Sequence, residues 1–189
     1  MRYDESQDYG TLTVREYALL PPEAYGDLVA GRLVREPRPR TWHSIIEMAV
    51  AYELDAWVRP RGLGLILPES GFLLRVDPPT VRGPDVAFVA AERIPAGGPP
   101  NEFWPGAPDL AVEVLSPTTR VLTGQKVADY LETGSRIVWV VDPLHRAVVV
   151  HEPDRLERTL AHGEILDAEP LLPGFRLPVS RLFIDLPPR

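Results

Sequence analysis

Asp85, Glu113 and Lys126 are the residues whose types and spacing could do chemistry in this chain. Asp85 heads the apolar run Val86-Ala87-Phe88-Val89 after Arg82-Gly83-Pro84, and proline is tolerated at the first position of a strand, where no ladder donor is needed. Glu113 interrupts a second run, from Asp109 to Leu115, which Pro108 introduces and Ser116-Pro117 stops. Side chains alternate along a strand, so Asp85 shares a face with Ala87 and Val89, and Glu113 with Ala111 and Leu115. Antiparallel pairing of the two runs would set the start of the first beside the end of the second and bring Asp85 next to Glu113. Two carboxylates held together repel and raise each other's pKa unless a cation lies between them. A divalent metal resolves that repulsion. An acid/base pair working without metal is the other chemistry open to two carboxylates.

Plainer readings stand beside these. Asp85 after Gly83-Pro84 also suits a turn, and Asp109 after Pro108 is read as one. Asp109 cannot share an ion with Glu113, since four residues of strand separate them by roughly 13 Å. Glu113, set among Val112, Val114 and Leu115, must be partnered if it is buried. Lys126 is the only lysine among 20 basic residues. Where arginine serves nearly everywhere, a lone lysine marks a place where a planar, permanently charged guanidinium will not do, or else an accident of composition on a surface helix.

These residues need elements to hold them. Thr13 caps a short helix over Val14–Leu20, and Tyr25–Val29 with Arg32–Glu36 read as a hairpin about Ala30-Gly31. From Thr41 the residues Ile45, Ile46, Ala49, Val50, Leu54, Trp57 and Val58 recur at helical spacing and predict the longest helix, closed by Pro60 and Gly62. His43 and Glu47, four apart and off that stripe, are expected on a solvated face. Gly62-Leu63-Gly64 lacks the later glycine and the preceding strand of a phosphate loop. Leu63–Leu67 and Gly71–Val76 read as a strand pair turning at Pro68-Glu69-Ser70. A helix over Thr123–Thr133 would put Lys126 and Tyr130 on one face and Val127 and Leu131 on the adjoining one, with Gly134 closing it. Arg136–Val141 and Ala147–Val150 read as strands, Leu156–Leu160 and Glu164–Leu166 as a hairpin about His162-Gly163, and Phe175–Ile184 as the closing segment.

Composition bounds the function classes. The 189 residues, 44% apolar and 25% charged, suit one domain with a substantial core. Cysteine is absent, which excludes disulfides, thiol nucleophiles and cysteine-held metal centres and suits a reducing cytoplasm. No apolar run approaches the length that spans a bilayer, and Met1–Gly10 is polar and acidic, so a soluble, cytoplasmic protein is expected. The net charge of −7 opposes contact with a polyanion on average. The stretch Arg32–His43, however, sets Arg32, Arg35, Arg38 and Arg40 against Glu36 alone, a local +3 that leaves −10 for the remainder. Arg38, Arg40 and His43 are therefore the candidates for meeting nucleic acid, the alternative being a charged strand edge that resists aggregation.

Pro84-Asp85, a strand bearing Glu113 and a helix bearing lysine, on a helix-strand-strand-strand-helix-strand order, resemble the PD-(D/E)XK nuclease superfamily. More closely, Pro108-Asp109-Leu110-Ala111-Val112-Glu113-Val114-Leu115-Ser116-Pro117, followed by Lys126, Tyr130, Gly134 and Val138-Trp139-Val140-Val141-Asp142-Pro143, is similar to a large bacterial family of uncharacterised endonuclease-like proteins. The resemblance implies an α+β restriction-endonuclease-like core over residues 1–189, with a mixed central sheet flanked by helices and additional hairpins. It implies Asp85 and Glu113 as ligands of Mg²⁺ or Mn²⁺, Glu47 as a further acid from the first helix, and hydrolysis of phosphodiesters, in DNA before RNA. One departure stands out: the superfamily's lysine usually lies two residues after the glutamate, where this chain has Leu115. The role would pass to Lys126, with Tyr130 beside it. A module that binds nucleic acid or protein on the same fold without catalysis is the alternative. No membrane partner is expected, and a homodimer is left open.

Overall fold

The computed structural model describes residues 8–183 other than 22, 23, 25, 36–38 and 117–119. In chain order the elements are α1 (Val14–Ala18), β1 (Gly26–Val29), β2 (Arg32–Arg35), α2 (Thr41–Arg61), β3 (Gly64–Pro68), β4 (Phe72–Arg75), β5 (Thr80–Arg82), β6 (Val86–Ala90), β7 (Trp104–Pro105) and β8 (Leu110–Val114). Then follow α3 (Arg120–Glu132), β9 (Ile137–Asp142), β10 (Ala147–His151), β11 (Arg158–Leu160), β12 (Ile165–Asp167) and β13 (Arg176–Pro178). The architecture is α+β. A six-stranded sheet runs β11-β10-β9-β8-β6-β3, a five-stranded sheet β2-β1-β5-β4-β7, and β12 pairs with β13 alone. The larger sheet is mixed: β8 and β9 are parallel and joined through α3, and its other pairs are antiparallel.

Local chemistry explains most boundaries. Thr13 and Glu16 form a reciprocal capping box at the start of α1, which satisfies two of the donors a helix start leaves unpaired. The β1–β2 turn takes positive φ at both Ala30 and Gly31, as a two-residue hairpin turn with the strands' own twist requires. Helix α2 buries Ile46, Val50, Leu54 and Val58 at a strict four-residue spacing. It runs through Pro60 and stops at a left-handed Gly62, so the glycine is the true terminator.

The two faces of the larger sheet are both covered. Leu110, Val112 and Val114 of β8 turn with Val86 and Phe88 of β6 towards α2 and the residues of β12 and β13. Ala111 of β8 turns with Ala87 and Val89 to the other face, where Val127 and Tyr130 of α3 pack beside Phe72 and Trp104. Double coverage is why β6, β8 and β9 are buried at every position and read as continuous apolar runs.

Two expected pairings are corrected. β3 and β4 do not form a hairpin: β3 pairs with β6 from Gly64↔Ala90 to Pro68↔Val86, whereas β4 joins the smaller sheet beside β5 and β7. A wholly buried strand such as β6 needs ladder partners on both edges, and β3 supplies the one that β8 does not. β11 and β12 likewise part at His162-Gly163. β11 extends β10, and β12 pairs with β13, placing Leu166 and Leu177 in the core under α2. The three-residue β5 had no visible pattern. Tyr25, Glu36 and Ile184, expected at strand or segment ends, lie outside the described residues. Among the described residues no helix is long and apolar enough to cross a membrane.

Candidate functional site

The β6–β8 ladder runs antiparallel with Val86 opposite Val112, so the chain just before β6 meets the end of β8. Asp85 and Glu113 therefore come to the same corner of the sheet. One oxygen of Asp85, Oδ2, accepts a hydrogen bond from the Val114 amide at 2.5 Å and lies 3.1 Å from His43 Nε2. Glu113 accepts from Tyr130 Oη at its Oε1, 2.9 Å away, and from Lys126 Nζ at its Oε2, 3.1 Å away. The Glu113 and Lys126 side chains are only 5% and 4% exposed. A buried carboxylate must be partnered, and α3, which returns the chain to β9 beside β8, brings both partners on one helical face.

Lys126 is itself held from three sides, for its Nζ also donates to the Gly83 carbonyl at 3.3 Å and lies 3.7 Å from Asp27 Oδ2. Asp27, on β1, accepts from the Gly83 amide and from Arg82 Nη1. Arg82, 1% exposed, forks onto Asp129 of α3 at 2.6 and 3.0 Å, and Arg75 reaches the second oxygen of Asp129 and Glu132. Burial opposes the charges of Arg82 and Asp129, but their partners outweigh it: Arg82 is pushed further up and Asp129 below the usual carboxylate range. Alternating charges thus tie the smaller sheet to α3 directly beneath Lys126. A buried pair of this kind adds little net stability but is costly to break, so it fixes position.

On the other side of Asp85 stands α2. His43 Nδ1 is buried without a hydrogen-bond partner, and Glu47 Oε2 is 3.9 Å away, near enough to attract a charge but too far to bond. Glu69, in a left-handed conformation at the end of β3, donates its amide to the Asp85 carbonyl. Burial pushes Glu47 from 4.5 up to about 7, reinforced by the charges of Glu69 and Asp85. Burial would lower His43, but Asp85 and then Glu47 and Glu69 prevail and raise it.

The shift of Glu47 has a sign. Folded and unfolded chains hold the same proton below pH 4.5; between that and about 7 the folded chain keeps the proton its unfolded form loses, so stability falls as pH rises through this window. Glu47→Gln should match wild type near pH 4. By pH 8, without divalent metal, it should be more stable by about 1–3 kcal/mol. Thermal melts at the two pH values check this; an equal difference at both would show that Glu47 is not under that strain.

His43 and Glu47 thus leave the solvated face expected of them, because the first turns of α2 lie over the sheet's corner. Arg40 is exposed at the start of α2, and Arg38 lies outside the described residues. Asp109 is a structural acid, bonded to the Ala90 amide and Arg93. Reading the sequence missed Asp27, Arg82 and Glu69: the first two lie in short, charge-bearing strands, and Glu69 passed for a turn residue. Among the described residues no three acid or histidine side chains stand close enough to enclose an ion. In chemistry the donors suit a hard divalent cation, being carboxylate oxygens crowded enough to hold Glu47 at about 7.

A crystal structure of a protein described as a putative nuclease belonging to DUF820, from Anabaena variabilis, superposes with a TM-score of 0.81 at 21% identity, covering 91% of this chain and 97% of that one. At that identity the likeness establishes the fold. No curated protein matches the chain. A family model matches residues 14–180, and with it the chain belongs to the Uma2 family, described as "Putative restriction endonuclease".

Proposed function

We propose that this protein is a divalent-metal-dependent nuclease, acting on DNA in the cytoplasm, in which residues 1–189 form one restriction-endonuclease-like unit. The observation that carries the reading is the position of Lys126. Thirteen residues from Glu113 and absent from the usual place on the strand, it still reaches Glu113 Oε2 at 3.1 Å. Asp85 and Glu113 would hold Mg²⁺ or Mn²⁺, which would supply neutralisation of phosphate charge and a water of lowered pKa, while Glu47 and Glu69 add negative charge on the Asp85 side.

The chain's own groups have separable tasks. Complete burial, then the charge of Glu113, push Tyr130 well above its ordinary value, so its hydroxyl keeps its proton and fixes Glu113 Oε1. Lys126 holds Glu113 Oε2 at 3.1 Å and, from behind that carboxylate, adds a compact positive charge to the field in which a scissile phosphate would gain negative charge. His43, its proton favoured by Asp85, orients that carboxylate from the α2 side. The Lys126–Glu113 end is nearly closed, whereas Asp85 and Glu47 are 12% and 16% exposed. Substrate would therefore arrive over Asp85, Glu47 and Glu69.

Calorimetric titration with Mg²⁺ and Mn²⁺, alongside incubation with supercoiled plasmid, linear duplex and single strands, tests the reading. Saturable heat and metal-dependent strand loss are expected. Absence of both would turn the assignment to a non-catalytic binding module, which the engagement of both Glu113 oxygens by Tyr130 and Lys126 favours.

A further inference from the structure

We infer that the groove beside His43 takes one unpaired nucleotide of the substrate strand, with its base stacked on Trp42 and its phosphate near Arg40. The inference rests on the nuclease reading and extends it to the form of the substrate.

The groove has a volume of about 520 Å³ and is lined by Arg40, Trp42, His43, Leu115, Leu144 and Phe183 among others. That lies within the range of cavities that enclose a small ligand; it suits a nucleotide and is far too small for a duplex. Its wall is continuous with the carboxylates, since His43 lines it and bonds Asp85 through Nε2. A strand crossing Asp85 would have its next nucleotide at this groove.

The lining has the chemistry of that occupant. Trp42 is 52% exposed and Leu144 79% exposed, an arrangement that leaves an aromatic face and an aliphatic edge open to a planar ring. Stacking on aromatic side chains is how unpaired bases are held without regard to sequence. Arg40 is exposed and lies two residues before Trp42, α2 has no acid in its first turn, and Arg146 also lines the groove. The acid that lines the groove, Asp142, is turned to the Leu144 and His145 amides and the His145 ring. In a chain of net charge −7, this is a local surface to which a phosphate is not repelled.

Fluorescence titration of the full chain in Ca²⁺, with a single-stranded 12-mer and a blunt duplex of the same sequence, tests the inference, each probe being run on a gel afterwards to show that it is uncut. Wild type should bind the single strand more tightly and lose tryptophan emission on binding. Trp42→Ala should weaken single-strand binding about tenfold, while Trp42→Phe, which keeps a stacking ring, should recover most of it. Trp42 is half exposed, so unchanged circular dichroism is expected for both variants. Equal affinity of Trp42→Ala and wild type, or absence of single-strand binding by wild type, overturns the inference. Cleavage in Mg²⁺ separates the two readings. Wild type that binds through Trp42 but cuts nothing overturns the nuclease and keeps the groove; intact cleavage with binding indifferent to Trp42 overturns only the groove.

Discussion

Asp85→Asn is expected to abolish divalent-metal binding and to lower cleavage by at least 10²-fold, with little change in the fold. The substitution removes one negative charge from a corner where Asp85, Glu47 and Glu69 already oppose one another. Asparagine keeps one oxygen that can accept from the Val114 amide, so the β6–β8 junction retains its bond at that point. It cannot pair as a charge with His43 Nε2, and loss of that charge-assisted contact costs about 1.5–3 kcal/mol. Relief of the repulsion on Glu47 works in the opposite direction at neutral pH. The two nearly offset each other, leaving the melting temperature within a few degrees. The function falls much further, because a hard cation is lost when a charged oxygen ligand becomes a neutral amide. Titration with Mn²⁺ followed by a plasmid-nicking assay checks both parts; an isotherm indistinguishable from wild type would remove Asp85 from the metal site.

Lys126→Arg should reduce cleavage by about 10²-fold or more, the scale of one positioned electrostatic group. At a lysine on an exposed helix face this change would be expected to leave stability untouched. The structure alters that expectation: Lys126 is buried, with Nζ gathered between Glu113, Gly83 and Asp27. An ammonium presents three donors around one point, whereas a planar guanidinium spreads them and needs more room. Overpacking of this kind costs about 1–3 kcal/mol. Lys126→Met separates charge from bulk. It leaves the Glu113 carboxylate buried without its cation and should cost about 3–5 kcal/mol, so its activity is read at a temperature where circular dichroism shows it folded. Cleavage by the folded arginine variant at the wild-type rate would make the lone lysine a structural clamp for Glu113.

Local patterns in the sequence determined a good deal of this protein. The four-residue apolar spacing of Ile46, Val50, Leu54 and Val58, the Thr13–Glu16 cap, the Ala30-Gly31 turn and the apolar runs of β6, β8 and β9 are each fixed by neighbours a few residues away, and they are legible for that reason. The juxtaposition of Asp85 and Glu113 was legible too, because antiparallel pairing of two adjacent strands leaves little freedom in which ends meet. Partner choice between distant strands was not. Whether β3 turns back on β4 or pairs with β6, and whether β11 continues into β12, depends on which buried edge needs a ladder partner, a property of the assembled sheet. The same limit hid the setting of the site. His43 and Glu47 have the spacing of a solvated face, and only the crossing of α2 over the corner of the sheet turns them onto Asp85. Asp27 and Arg82 sit in strands of three or four residues, whose charges look like a solvated edge until β1, β5 and α3 close around Lys126. Charges in an unassembled chain are all hydrated alike; tertiary packing decides which lose their water and must then find one another.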